Sequence, residues 1–339
     1  VCIMKIGILV GDPEVQDMFD VRSRDWLKNT NLVENAVVSY KLKDDAGNKI
    51  VRDRKITGVK IYNSVYLYLK KKYPNHTFHL IQPDQATYDT LKTYDIVFYN
   101  FYDPVAAGVL SQNPNEGKKL ERLLFRLKNI YPPRSFAAVQ HDKCRYYEYL
   151  RRKRIPIMPT LCVTKAKWTR LQTRDARKAF CKTLIERVRK SNWKRIFIKP
   201  VMGTSSIDVF DIGYNINALV AHLTYLFKAN YPKVIMQKYD GEFARPHNPE
   251  IKTYWVGDKY VYALATDVAE AYGGIKSEYG TYTYDLKQVK ELGHKVLRAI
   301  TPLFKGQEKL VTRIDIGRNE QGKYFVNEIE YAPGFVTSV

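Results

Sequence analysis

Apolar and polar positions along this chain switch between two rhythms, and each switch marks an element. Met4-Lys5-Ile6-Gly7-Ile8-Leu9-Val10 is a mostly apolar run ending in Gly11-Asp12-Pro13, as expected of a buried strand that exits into a turn. Residues 77–81 and 94–100 read as two further strands. Between them the apolar spacing becomes helical. Residues 59–72 put Val59, Ile61, Val65, Tyr66 and Leu69 on one side, stop at Tyr73-Pro74-Asn75, and are followed by a short helix at 85–92. Strand–helix–strand alternation predicts a parallel sheet in an α/β layer. The polar stretch 21–55 has weak periodicity and reads as an irregular or inserted region.

Further along, strands are predicted at 195–200 and 233–237, with a hairpin at 250–261 around Gly257-Asp258. Helices are predicted to open at Asp142-Lys143, to run over 173–195, and to run over 286–304. The chain closes on alternating runs at 310–316 and 324–330, separated by the polar turn 317–322, which makes a second hairpin.

That last hairpin carries the densest chemistry. Side chains alternate faces along a strand, so Arg313 and Asp315 share one face, and Glu328 and Glu330 share another. If the hairpin brings those faces together, three carboxylates and a guanidinium converge. Carboxylates so close repel, and a divalent cation relieves them; Mg²⁺ with bridging phosphates suits a site with few carboxylates. A solvated hairpin with outward charges satisfies the same spacing. Upstream, Lys199-Pro200 leads into Gly203-Thr204-Ser205-Ser206, a loop of small residues whose backbone N–H groups can turn around an anion. It is no Walker loop, which needs Gly-Lys-Ser/Thr opening a helix. A plain polar hairpin turn is the alternative.

Composition narrows the class. A 339-residue chain with 45% hydrophobic residues, 26 Tyr and 14 Phe is a folded protein of two or three domains. No apolar run reaches membrane-spanning length and the first residues lack a secretory h-region, so no membrane partner is expected. Cys2, Cys144, Cys162 and Cys181 have no metal-ligand spacing, which points to reduced thiols in a cytoplasmic setting and against zinc. The net charge of +21 is concentrated: residues 143–199 hold 19 Lys and Arg against three acids, Glu148, Asp175 and Glu186. Such a belt attracts a polyanion, whether nucleic acid, acidic protein or phosphorylated small molecule, or is simply a soluble surface.

Arg313-Ile314-Asp315, a turn, and Val326-Asn327-Glu328-Ile329-Glu330-Tyr331-Ala332-Pro333-Gly334-Phe335 together resemble the closing signature of ATP-grasp enzymes. The likeness is greatest to the D-alanine–D-alanine ligase and ribosomal-protein glutamate ligase branches. Three upstream segments resemble the family in the same order: Asp142-Lys143 with Ile155-Pro156-Ile157-Met158-Pro159, the Lys199-to-Ser206 loop, and Gln237-Lys238-Tyr239-Asp240-Gly241-Glu242. The resemblance spans the C-terminal two-thirds; the first third is similar only in being α/β.

The resemblance implies an α/β domain over 1–140 and two α+β lobes, 141–237 and 238–339, that clamp ATP. It implies two Mg²⁺ ions, replaceable by Mn²⁺, held by Asp315, Glu328 and Glu330. Lys143 and Lys199 would meet the phosphates under a flap of Gly203, Thr204, Ser205 and Ser206. Gln237, Lys238 and Tyr239 would form the adenine hinge, and either Glu242 or Glu250 would hold the ribose. Arg313 would face the transferred phosphoryl group, and Gly334 and Ser338 a substrate carboxylate. Two departures stand out: Glu330 where those ligases often have Asn, and Lys252 where Arg is usual. The implied activity is ATP-dependent joining of a carboxylate to an amine through an acyl phosphate, on an amino acid or acidic peptide. A kinase of an inositol phosphate and a non-enzymatic nucleic-acid binder are the alternatives.

Overall fold

The computed structural model describes residues 2–10, 18–21, 24–43, 49–99, 102, 104, 108, 114–202, 208–240, 243, 248–266 and 284–331. The first sheet is wholly parallel and runs Thr77–Ile81, Lys5–Leu9, Ile96–Phe98, Ile130–Tyr131. The apolar run at the chain start occupies an inner position because both its faces must be covered, and Ile8 and Leu9 are buried.

The first correction concerns residues 21–60. Lys49–Lys60 forms a long strand paired antiparallel with Glu34–Lys43 and extended by Met18–Asp20, so most of the expected irregular region is a hairpin. The following helix therefore starts at Ile61, not at Val59, and ends at Lys72. Val59 instead fills a small core with Val21 and Leu27. Pairing with a neighbouring strand, not a clean apolar face, makes this region a sheet, and pairing leaves little trace in one sequence.

The second sheet is antiparallel, in the order Phe210–Asp211, Ile196–Pro200, Lys233–Lys238, Thr160–Thr164. Helices Arg174–Lys190 and Ile216–Lys228 pack with it through Ile185, Val188, Leu223, Ile196, Ile198 and Val234. The first of these helices opens where the Thr173 hydroxyl accepts the Ala176 amide. It ends before the expected 195, and Asn192 just beyond takes a left-handed backbone (φ 56°).

The third sheet, also antiparallel, runs Lys259–Thr266, Glu250–Val256, Val311–Arg318, Tyr324–Glu330. Helix Leu286–Ile300 backs it and passes into a 3₁₀ turn, Thr301–Phe304. Gly293 on this helix is what lets Trp255 lie against it, since a Cβ there would stand 2.2 Å from the indole. The first and third sheets share one core, with Leu9, Val97 and Ile130 in the same cluster as Val289, Ile314 and Val326. The second sheet has a core of its own.

Helices Arg134–Gln140 and Lys143–Arg152 lead from the first sheet into the second. The Ile-Pro-Ile-Met-Pro segment threads between lobes: the Val326 amide donates to the Pro156 carbonyl and the Lys238 amide to the Pro159 carbonyl, both at 2.9 Å. A second correction concerns the thiols. Cys144 and Cys162 form a disulfide, Cα to Cα 6.1 Å, tying the start of helix Lys143–Arg152 to strand Thr160–Thr164. Cys2 and Cys181 are free. Among the described residues no helix is long and apolar enough to cross a membrane.

Candidate functional site

The closing hairpin pairs Arg313 with Glu330 and Asp315 with Glu328 directly across the two strands. Directly opposed side chains share a face, so the acids do converge: one oxygen from each of Asp315, Glu328 and Glu330 lies within 4.8 Å of the others. The register then slips, with Ile316 opposite Val326, and Asn327 is the extra residue of a bulge. The bulge turns the Asn327 side chain toward strand Glu250–Val256, where its amide donates to Glu250 Oε1 at 2.6 Å. Its carbonyl accepts both the Tyr146 and Tyr147 hydroxyls, at 2.9 and 2.8 Å.

Cations surround the acids. Arg313 grips Asp315 through two parallel bonds, Nε to Oδ1 at 2.8 Å and Nη2 to Oδ2 at 2.9 Å, and Nη2 lies 2.8 Å from Glu330 Oε1. Lys143 Nζ is 2.8 Å from Glu328 Oε1. Lys252 Nζ is 2.7 Å from Glu250 Oε2 and 3.4 Å from Asp315 Oδ2. Lys199 Nζ reaches the Tyr147 hydroxyl at 3.5 Å, and its charge acts on Glu328. Among the described residues, Arg313, Lys143 and Lys252 contact the four carboxylates, and Lys199 acts on Glu328 from the second sheet. Asp315 is sealed, but the Glu328 and Glu330 side chains keep 25% and 27% exposure, so these two acids remain accessible from solvent.

Burial and charge pull these groups in different directions. Burial raises the Asp315 carboxyl above its ordinary value, and Glu250 adds to this against the opposing pull of Arg313 and Lys252. Burial likewise pushes Glu330 up to about 8, with Arg313 opposing and the charges of Glu328 and Asp315 reinforcing. Glu328 goes the other way: burial, the largest single influence, would raise it, but Lys143, Lys199 and Arg313 together hold it below the usual carboxylate range. Lys143 responds in kind: burial would lower it, but Glu328, Tyr147 and Glu330 together raise it. Crowded hard-oxygen donors, one of them pushed toward its neutral form by burial and then by its neighbours, fit a divalent cation, which would offset both.

The expected hinge is the end of strand Lys233–Lys238. Gln237 is buried and its amide donates to the Thr160 hydroxyl at 3.2 Å, so its side chain serves the sheet. The Tyr239 amide donates to the Arg195 carbonyl at 3.0 Å, and its ring meets Phe197 edge-on. Asp240 is buried and accepts the Glu320 amide at 3.0 Å, joining the hinge exit to the turn of the closing hairpin. A cavity of about 350 Å³ lies between Met158, Lys238, Asp240, Tyr324 and Phe325.

Glu250, one of two residues expected at the ribose, lies beside the acidic cluster instead, bonded to Lys252 and Asn327. Gly203, Thr204, Ser205, Ser206, Glu242, Gly334 and Ser338 fall outside the described residues. The basic belt divides: Lys143 and Lys199 turn into the site, while Arg174, Lys182, Arg187, Arg189 and Lys190 are exposed on helix Arg174–Lys190. In the sequence Tyr146 and Tyr147 are not singled out, and Lys252 stands out only as a departure from the family's usual Arg. Tyr146 and Tyr147 stand three and four residues beyond Lys143, hence on its face of the helix, a spacing that was available. Lys252 faces Asp315 only through the register of two strands far apart in sequence.

No protein-family model matches this sequence, and no curated protein matches it. Solved structures do. One similar structure is D-cycloserine synthetase DcsG, with a TM-score of 0.62 at 13% identity over 97% of this chain and 92% of that one. D-alanyl-alanine synthetase A from Vibrio cholerae gives a TM-score of 0.56 at 13% identity, over 98% of this chain and 90% of that one. A RimK domain protein, ATP-grasp, from Sphaerobacter thermophilus gives 0.50 at 12% identity, over 81% of this chain and 89% of that one. At such identities the likeness is one of fold, and the chain has the ATP-grasp fold.

Proposed function

We propose, from a chain with the ATP-grasp fold, that this protein is an ATP-dependent carboxylate–amine ligase. One observation carries the reading: ligand oxygens of Asp315, Glu328 and Glu330 converge within 4.8 Å, with Arg313 and Lys143 bonded to them and Lys199 beside Tyr147. The similarity in fold to enzymes named as D-alanyl-alanine and D-cycloserine synthetases supports it.

In this reading Asp315, Glu328 and Glu330 hold Mg²⁺, which when bound would neutralise the ATP phosphates. Lys143 and Lys199 bind phosphate oxygens, and the backbone of Lys238 and Tyr239 meets adenine. Glu250 acts on the metal-site side through Asn327 and Lys252 and not on ribose. Gly203 to Ser206 as flap, Glu242 at ribose, and Gly334 and Ser338 at the substrate carboxylate rest on the resemblance in sequence.

The reaction needs positioning and charge more than covalent help from the protein. A substrate carboxylate oxygen attacks the γ-phosphorus as the bond to ADP breaks, giving an acyl phosphate and ADP. Arg313 faces the charge that develops on the transferred group, and its grip on Asp315 and Glu330 fixes the guanidinium plane. An amine then attacks the acyl carbon, phosphate leaves, and the nitrogen loses a proton to give the amide.

The test is ADP release with Mg²⁺ and ATP across amino acids, peptides and inositol phosphates. Release that requires a carboxylate, is greatest with carboxylate and amine together, and is lost in Asp315→Asn supports the ligase. Release driven by an inositol phosphate alone would make the protein a kinase and overturn the reading.

A further inference from the structure

His141 stands between two segments that supply the site. It precedes Asp142, the residue that caps helix Lys143–Arg152, and its ring meets Tyr331, the residue after Glu330. Nδ1 lies 2.5 Å from Glu121 Oε1 and Nε2 lies 2.6 Å from the Tyr331 hydroxyl. An ionised carboxylate can only accept, so Nδ1 donates; in the neutral ring Nε2 then accepts the Tyr331 proton. The three residues come from three distant stretches of chain, Glu121 lying on helix Pro114–Leu124.

This row of polar groups is enclosed. The side chains of His141 and Glu121 are 4% and 16% exposed, and Tyr331 is buried. Phe125 stacks on the imidazole at 6.1 Å, and Tyr99 and Phe136 meet the Tyr331 ring edge-on at 5.6 and 6.1 Å. Burying a carboxylate, an imidazole and a phenol is unfavourable unless each is paired, and a fully paired row holds its members in one arrangement.

What it holds is the end of an edge strand. Strand Tyr324–Glu330 pairs within its sheet along one side only. On its other side, polar side chains from the connecting helices take alternate residues. The Tyr146 and Tyr147 hydroxyls bond the Asn327 carbonyl, Gln140 Nε2 bonds the Ile329 carbonyl at 3.0 Å, and His141 takes Tyr331. Glu328 and Glu330 are the residues between these anchors. Of the three, only the last leads back to the N-terminal layer, through Glu121.

We infer that Glu121, His141 and Tyr331 form a positioning relay that fixes the Glu330 end of the acidic site against the N-terminal layer. The inference rests on the reading of that site as one for Mg²⁺ and ATP. Tyr331 is a positioning residue and not a catalytic one, because its hydroxyl is occupied and buried. Loosening it frees the last turn of the strand and lets Glu330 drift from Asp315 and Glu328, while the hinge is untouched.

The experiment compares ATP affinity with and without Mg²⁺ in the full chain. Tyr331→Phe keeps the ring and its packing but removes the hydroxyl. It should reduce the strengthening of ATP binding by Mg²⁺ roughly tenfold, the scale seen when a group supporting a metal ligand is lost, and leave metal-free ATP affinity unchanged. His141→Leu should do the same, His141→Gln should recover part of the loss, and the double variant should be no worse than either single one. An unchanged Mg²⁺ effect in a folded Tyr331→Phe protein, or fully additive losses, overturns the relay. If the variants at 141 do not fold, Glu121→Gln replaces them with the same expectation. Amide hydrogen exchange over 328–331, measured without metal, should be faster in Tyr331→Phe. If wild-type protein shows no Mg²⁺ effect, the metal reading fails, and the exchange result alone decides the relay.

Discussion

The Lys143 ammonium lies 2.8 Å from a Glu328 carboxylate oxygen, and this contact joins the first residue of a helix leading into the second sheet to the last strand of the third sheet. It balances an acid outside the Arg313 fork, which Asp315 and Glu330 occupy.

Removing the ammonium leaves the partly buried Glu328 with only the more distant charges of Lys199 and Arg313 to compensate it. Lys143→Met should destabilise the protein by about 3 kcal/mol at neutral pH, the scale for breaking a buried pair. The sign with pH follows from Glu328 being held below its ordinary 4.5 in the folded protein. That stabilisation is present above the unfolded value and fades as pH falls through the folded one. Urea melts of both proteins at pH 8 and pH 4 should therefore differ most at pH 8.

Glu330 has the opposite sign. Its folded value of about 8 exceeds the ordinary 4.5, so without metal the folded state holds a proton that the unfolded state has lost between those limits. Stability of the metal-free protein should fall as pH rises from about 4.5 to about 8. A divalent cation needs the ionised form, so Mg²⁺ or Mn²⁺ binding should strengthen with pH up to about 8, level off above it, and release protons below it. Calorimetric titration of metal into the ATP-free protein at pH 6.5, in buffers of different ionisation enthalpy, reads that release, and Glu330→Gln should reduce it.

The disulfide between Cys144 and Cys162 closes a short loop of sequence separation 18 beside Lys143. A loop of that size restricts the unfolded chain enough for about 3 kcal/mol of stabilisation. Thermal melts with and without a dithiol reductant should show the reduced protein melting lower, and Cys162→Ser should match the reduced wild type. Identical melts would mean that the two sulfurs carry no bond in solution.

The legible parts of this protein share one property: their signal is local. The run around Ile8, the stop at Tyr73-Pro74, the hairpin about Gly257-Asp258 and the closing hairpin all lie where the sequence puts them, within a few residues at their ends. Arg313, Asp315, Glu328 and Glu330 could be grouped because a tight hairpin turns spacing in sequence into adjacency in space. The hairpin over 34–60 was not read from the sequence. Ala36, Val38, Tyr40 and Leu42 do alternate with Ser39, Lys41 and Lys43, but the partner strand is rich in Lys and Arg. The pairing is defined by the two strands together.

The sequence alone determined the alternation of strands and helices, and which acids and bases a single hairpin can bring together. Only the tertiary structure decided that Asn327 bulges, that Lys252 and Glu250 join the acids, that Cys144 meets Cys162, and that His141 ties Glu121 to Tyr331. The reason is physical. A periodic pattern reports which face of one element is buried, whereas these contacts depend on which elements pack together, and that is fixed by the joint burial of a core no single segment contains.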